Sequence, residues 1–301
     1  MISYALRDIS KSRIILACTI IGLSAAFTAV FLSVGVEDGF QVTLRNGSVD
    51  TGGEITIKPN GGNGSIENTD AIKRVLDETQ NVGGYSFRSY GGPSMQIAGV
   101  YKMHGYAAIG VDPIEERSAV LIPERIIAGR YLLPTDTQSV VIGVTLADSL
   151  VGLMYDGKQI EVGDVIRYGS PLDGRWRDYR VVGIVDAKYF HPNWSSYFPK
   201  KELEWLDDSH RNIEIAVKLK DPSRMEETKT ALQSSLQGVQ VITWREREGY
   251  VMNIMDLVGF ITGTINRLLV VTTFVIISVI IFINVFQKRR QIAILKAMGC
   301  R

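Results

Sequence analysis

Two stretches of this chain carry no charge at all, and they constrain everything else. Ile14 to Val36 is 23 residues long and Leu268 to Phe286 is 19. About 20 predominantly apolar residues in a helix cross the hydrocarbon core of a bilayer, so both runs are long enough to span it. Apolar residues on every face set them apart from the one-sided helices of a soluble surface. A signal peptide is the competing reading of the first run, because Arg7, Lys11 and Arg13 precede it. The run outlasts the roughly 7 to 15 residues of a signal h-region and ends without a small-x-small cleavage site, so it is expected to be retained.

Basic residues set the expected orientation. Residues 1–13 hold Arg7, Lys11 and Arg13 against Asp8, and residues 287–301 hold Lys288, Arg289, Arg290, Lys296 and Arg301 with no acid. In a chain of net charge +1 the remainder is therefore acidic. Positively charged flanks stay cytoplasmic, which predicts both ends inside and a large exterior segment from Glu37 to Arg267. Cys18 lies in the first run and Cys300 beyond the second, so the exterior segment has no cysteine and must be held by a packed core.

The exterior segment reads as α+β. Glu54 to Lys58 alternates like a strand, Pro59 to Ser65 is rich in turn formers, and a helix capped by Thr69 or Asp70 aligns Ile72, Val75, Leu76 and Thr79 on one face. Strand-like pieces follow at 84–90, 95–100 and 106–111. The grammar recurs much later: a strand at 212–219, a helix from about Arg224 to Leu236 and a strand at 239–244. Two β-α-β units separated by a long segment predict one discontinuous, membrane-proximal subdomain. The intervening 113–210 is a strand-rich insert, with a strand at 140–142, a short helix at 144–151, a strand at 158–168 interrupted by Gly163-Asp164, and a strand at 179–185. From Tyr250 to Leu268 apolar residues repeat at helical spacing, predicting a stalk helix that runs from Trp244 straight into the second span.

Catalytic constellations are absent from the pattern. His104, His191 and His210 share no metal-ligand spacing. No G-x-x-x-x-G-K-[ST] loop cradles a nucleotide, and Ser170 and Ser195 lack a nucleophile-elbow setting. Nothing resembles a basic patch interleaved with aromatics, so a nucleic-acid partner is not expected. Tyr189, Phe190, Trp194, Tyr197 and Phe198 crowd around His191-Pro192, as either core packing or a partner surface. Asn284, polar within the second span, is either a helix–helix contact or a residue at the headgroups.

The segment Gln287-Lys288-Arg289-Arg290-Gln291-Ile292-Ala293-Ile294-Leu295-Lys296-Ala297-Met298-Gly299 resembles the basic signature after the second helix of MacB/FtsX-type ABC transporter permeases. Ala5-Leu6-Arg7-Asp8-Ile9 is similar to that family's N-terminal interfacial helix. Gly129-Arg130, Val140-Val141-Ile142-Gly143, Leu146-Ala147, Gly163-Asp164 and Val181-Val182-Gly183-Ile184 are similar to its periplasmic core pattern. Within the family, Glu37-Asp38-Gly39-Phe40, Val241-Ile242-Thr243-Trp244 and the segment from Ile292 to Gly299 look most like the lipoprotein-releasing LolC/LolE branch.

The resemblance implies membrane α-helical spans plus an α+β extracytoplasmic domain of two subdomains, porter-like β-α-β units with a strand-rich insert. The expected bounds are an interfacial helix at 1–13, spans at 14–36 and 268–286, an exterior domain at 37–267 with its stalk at 245–267, and a cytoplasmic coupling segment at 287–301. It further implies two of four spans, a second permease chain, and a separate ABC ATPase subunit that supplies ATP and Mg; no cofactor belongs to this chain. Ile292, Ile294, Leu295, Lys296, Ala297, Met298 and Gly299 look like the coupling helix that docks on the ATPase. Arg7, Lys11, Arg13, Lys288, Arg289 and Arg290 would sit at anionic headgroups of the inner membrane. A lipoprotein or another hydrophobic molecule is the implied cargo. A sensor ectodomain and a non-transporting permease homologue that activates an external partner are the competing readings.

Overall fold

A computed structural model describes residues 13–61, 64–92, 94–97, 101–103, 107–148, 159–170, 174–206 and 212–287, together with 289, 293–294 and 297. The chain divides into two units, one comprising residues up to Val42 and from Tyr250 onward, the other Thr43–Gly249.

The first unit contains most of helix α1 (Arg13–Gly52) and of the last helix, Gly249–Gln287. Both contain windows long and apolar enough to cross a membrane. Their large side chains face outward: Phe27, Phe31, Phe274 and Phe282 are all more than half exposed, as lipid-facing residues are. Polar contact between the two helices comes from Asn266, whose amide donates to Ser33 Oγ at 3.3 Å. The side chain of Asn284, the residue singled out by sequence, lies outside the described residues.

The second unit is built on one mixed sheet of twelve strands. In chain order they are β1 (Ile55–Pro59), β2 (Val82–Gly91), β3 (Ser94–Ile97), β4 (Tyr101–Met103), β5 (Ala108–Val111), β6 (Ile126–Gly129), β7 (Ser139–Gly143), β8 (Val165–Ser170), β9 (Arg175–Val185), β10 (Ser196–Pro199), β11 (Asn212–Leu219) and β12 (Val239–Thr243). The helices after α1 are α2 (Thr69–Glu78), α3 (Pro113–Ala119), α4 (144–148), α5 (Phe190–Asn193), α6 (Lys200–Leu206), α7 (Met225–Ser235), α8 (Trp244–Arg247) and α9 (Gly249–Gln287).

The strand order begins β12-β1-β11-β2, with every neighbouring pair antiparallel. Each β-α-β unit is thus split by a strand of the other, which is the ferredoxin-like arrangement. Alternation explains the packing. Ile55 and Ile57 of β1 lie opposite Val217 and Ile215 of β11, and all four are fully buried. Ile72 and Leu76 of α2 and Leu232 of α7 close that cluster. Asn81 stitches the two units together: its amide donates to Asp221 O and Thr228 Oγ1, and its carbonyl accepts from Asp221 N.

From β2 the sheet continues β5-β10-β7-β9-β8-β3-β4, with β6 on β9. A second cluster there centres on Tyr168, Tyr179 and Phe198, packed edge to face at 4.9 to 5.8 Å between centroids. A third, with Ile109, Val141 and Tyr197, lies in the same unit. The first two clusters belong to separate halves, and the third joins Ala216 of β11 to Val141 and Tyr197 across the one shared sheet. β3 and β4, which precede residue 113, lie at the far end with the insert's strands, β3 pairing with β8 and β4 with β3.

Several local expectations need correction. α2 takes Asn68 as its N-cap, not Thr69 or Asp70; Asn68 is left-handed (φ 55°), a conformation asparagine tolerates, and makes no side-chain cap bond. The strand expected from 158 starts at Val165, because Glu161 N donates to Asp164 Oδ2 and Gly163 holds φ +106°, closing a turn ahead of it. The stalk is not one helix from Trp244. α8 ends after one turn, Glu248 N returning to Trp244 O at 3.0 Å, and α9 begins at Gly249. Leu76→Ala should cost about 2–5 kcal/mol by removing a fully buried side chain from the first cluster, measured as a lower denaturant midpoint for the exterior domain.

Candidate functional site

The last turn of an α-helix leaves carbonyls without partners, and α1 ends inside the folded domain, where they need them. Arg247 supplies them. Its Nη1 donates to Gly52 O at 2.8 Å, and its Nη2 to Ser48 O and, at 2.7 Å, to Ser48 Oγ. Nη1 also reaches Thr56 Oγ1 at the start of β1. A cation at a helix C-terminus is favoured by the helix dipole as well. Ser48 Oγ in turn donates to Glu248 Oε1 at 2.9 Å, so both residues at the α8–α9 break bind one turn of α1.

This junction explains two glycines. A Cβ on Gly52 would lie 2.2 Å from Arg247 Nη1, and one on Gly53 would lie 2.4 Å from Val217 O, at φ +71°. Gly53 is the left-handed residue that ends a helix, and its N–H returns to Val49 O at 2.9 Å. Two further elements hold the same turns. Asp50 pairs with Arg125 at 2.7 Å, and the Tyr189 ring packs where a Cβ on Gly47 would come within 2.8 Å of it.

Arg247 is delivered by a capping box: Glu246 N donates to Thr243 Oγ1 at 3.3 Å and Thr243 N to Glu246 Oε2 at 2.9 Å. Burial would raise the Glu246 carboxyl, but its bonds to Lys229 and Thr243 outweigh that and hold it below its ordinary 4.5.

A second polar cluster lies under the sheet. Arg88 of β2 is buried and donates to both oxygens of Glu116, at 2.6 and 3.2 Å, with Glu214 of β11 at 3.6 Å. Ser86 Oγ completes Glu116 at 2.6 Å. Burial favours the neutral guanidine, yet the opposing carboxylates prevail and hold Arg88 charged. Tyr90 and Tyr197 nearby are pushed well above the usual phenol range by burial.

The residues singled out by sequence fall as follows. Arg289, Ile294 and Ala297 are helical and exposed, and Arg13 is helical. Arg7, Lys11, Lys288, Arg290, Ile292, Leu295, Lys296, Met298 and Gly299 lie outside the described residues, as do His104 and His210. Of the aromatic cluster, Tyr197 and Phe198 are core, whereas Phe190 is 66% exposed. Ser195 Oγ is committed to His191 O. Among the described residues no group of three His, Cys, Asp or Glu gathers as a metal site. Sequence reasoning missed Arg247, Ser48, Arg88 and Glu116. The Gly52-Gly53 pair and the Thr243-x-x-Glu246 box were the readable signals.

A mixed α/β domain carried between two apolar helices, whose buried charges bind helix ends and strands to one another, defines a membrane protein with an extracytoplasmic domain. The chain belongs to the MacB-like periplasmic core domain family, whose model matches residues 16–235, and so to the ABC-type transporter permeases. Among solved structures, the periplasmic region of MacB from Actinobacillus actinomycetemcomitans is 13% identical, with a TM-score of 0.47 over 66% of this chain and 92% of that one. The extracellular domain of the noncanonic ABC-type transporter YknZ from Gram-positive bacteria is 11% identical, with a TM-score of 0.46 over 63% and 99%. No curated protein matches the chain.

Arg88→Leu should destabilise the domain by about 3–5 kcal/mol, since it leaves Glu116 buried and unpaired, and a urea titration reads this directly. Because the folded Glu246 carboxyl is held below 4.5, its contribution is complete above that pH and is lost as pH falls below it. Glu246→Gln should therefore flatten the fall in melting temperature below pH 4.5, which thermal scans across that range would detect.

Proposed function

We propose that this chain is the permease subunit of an ABC-type complex in which ATP hydrolysis by a separate cytoplasmic subunit drives movement of the exterior domain. The observation that carries this reading is the family match across residues 16–235. In this reading both ends of the described chain are cytoplasmic, two permease chains pair, and 292–299 docks on the ATPase. The domain handles a lipoprotein or another hydrophobic molecule, as in the lipoprotein-releasing branch that residues 37–40, 241–244 and 292–299 resemble.

The junction at Arg247 supports transmission over catalysis. A movement of α1 along its axis is felt at Ser48 and Gly52, which Arg247 and Glu248 hold next to the first residue of α9. Side chains so arranged bind elements together; among the described residues none forms an acid, base and nucleophile set. The family match favours the permease over a sensor ectodomain.

Docking through 292–299 is testable without knowing the cargo. Ile292, Leu295 and Met298 have the i, i+3, i+6 spacing of one helical face, so Leu295→Glu with Met298→Glu puts two charges into that pattern. Recovery of the ATPase with the tagged permease should fall by about 10-fold or more, corresponding to at least about 1.4 kcal/mol of interface energy. Unchanged recovery removes the docking assignment.

A further inference from the structure

The end of α1 is gripped from the insert as well as from α8. Leu121 N donates to Asp50 O at 2.8 Å, and Arg125 Nη2 to Asp50 Oδ2 at 2.7 Å. Arg125 O in turn accepts from Asp186 N at 3.0 Å, one residue after β9 ends at Val185. The Asp186 carboxylate closes the next turn, its Oδ1 accepting from Lys188 N and from Asn193 Nδ2, each at 3.0 Å. That turn delivers Tyr189, whose ring lies so close to Gly47 that a Cβ there would come within 2.8 Å of it. The Tyr189 hydroxyl is bonded to the Glu248 carboxylate, which also accepts from Ser48 Oγ. Residues 186–189 are thus a strap that leaves the end of β9, crosses α1 at Gly47 and reaches the α8–α9 break.

The seam between the two halves of the sheet gives the strap its importance. β5 pairs with β2 only along 89–91, whereas β11 runs beside β2 from 82 to 89. Bodies joined by a small interface move against each other unless another contact holds them. The strap also has space beside it, for Tyr189, His191 and Pro192 border a cavity of about 450 Å³. Close-packed surroundings would forbid such movement. The Asp50–Arg125 pair is part-exposed, at 18% and 41%, and a pair so placed adds little to overall stability. Its effect is to fix position.

We propose that the strap makes the end of α1 a lever on the insert. A displacement of Gly47 and Asp50 passes through Tyr189 and Arg125 to the end of β9 and turns the insert half of the sheet about the β2–β5 seam. Arg247 serves the first half of the domain and the strap serves the insert. The lever rests on the permease reading for what moves α1, but the coupling from α1 to the insert is a property of the chain alone.

Pulsed electron paramagnetic resonance on the full chain in nanodiscs tests it, with spin labels at Asp178→Cys in the insert and Ser234→Cys on α7. Both positions are exposed, and Cys18→Ala with Cys300→Ser removes the native thiols. No ATPase, nucleotide or cargo enters the measurement, so failure of the lever is read separately from failure of the permease reading. Gly47→Leu places a side chain against the Tyr189 ring and should shift the mean distance between the labels, with a smaller shift for Gly47→Ala. Adding Tyr189→Ala to Gly47→Leu removes the ring that is pushed and should return the distance to its wild-type value, a rescue that a purely stabilising role does not give. If Gly47→Leu fails to fold by circular dichroism, Asp50→Ala decides: the distance distribution should broaden, and Asp50→Arg combined with Arg125→Asp should narrow it again. An unmoved mean distance in a folded Gly47→Leu chain, a shift that persists after Tyr189→Ala, or an unbroadened distribution in Asp50→Ala would each overturn the proposal and leave the sheet alone to position the insert.

Discussion

The guanidinium of Arg247 is the interaction on which the arrangement of the domain depends. An apolar helix that enters a folded domain brings a row of unpaired carbonyls with it, and each one left buried and unpartnered costs about 1–3 kcal/mol. Arg247 binds one of those carbonyls, that of Gly52, together with the carbonyl and hydroxyl of Ser48 one turn earlier, and reaches β1 through Thr56. Its own position is fixed by β12 and the capping box, and α9 begins two residues later at Gly249. The end of one long helix is thus hydrogen-bonded to a residue two positions before the start of the other, although nearly 200 residues of sequence separate Ser48 from Arg247.

Interleaving of the strands makes that point rigid. β1 follows α1 and lies between β11 and β12, so the first strand of the domain is held on both edges by strands from its end. In the proposed mechanism a tug on the end of α1 is carried into the sheet through the backbone hydrogen bonds that β1 makes on both edges. Further along the sheet, Arg88 joins β2 to α3 through Glu116 and to β11 through Glu214. A buried ion pair of this type adds little net stability compared with apolar packing, but it penalises any register that separates the charges. The domain combines one continuous sheet with a polar joint at the end of α1.

Much of this was legible in the sequence, for identifiable reasons. Charge-free runs reveal the long helices because no soluble packing needs them, and strict alternation gave β11 its bounds at Asn212 and Leu219. The split order β12-β1-β11-β2 was not legible, since strand neighbours are set by contacts across the insert and not by local pattern. The break at Glu248 was hidden because apolar spacing resumes at once on its far side, and only the side-chain demands of Ser48 and Gly52 mark it. Asn266, whose amide bonds Ser33, was not legible either, since only a neighbouring helix marks it. Arg88 gave no signal, because a lone arginine in a strand reads as solvent-facing until its carboxylates are placed beside it.

The central claim is that Arg247 passes movement of the long helices to the exterior domain, and amide hydrogen exchange of the permease bound to its ATPase in lipid nanodiscs tests it most directly. ATP should change exchange across β1, β11 and β12 in the wild-type complex, and Arg247→Met should abolish that change while ATP is still hydrolysed and the sheet stays protected. An ATP-dependent change that persists undiminished in Arg247→Met would contradict the account and place the coupling elsewhere in the chain.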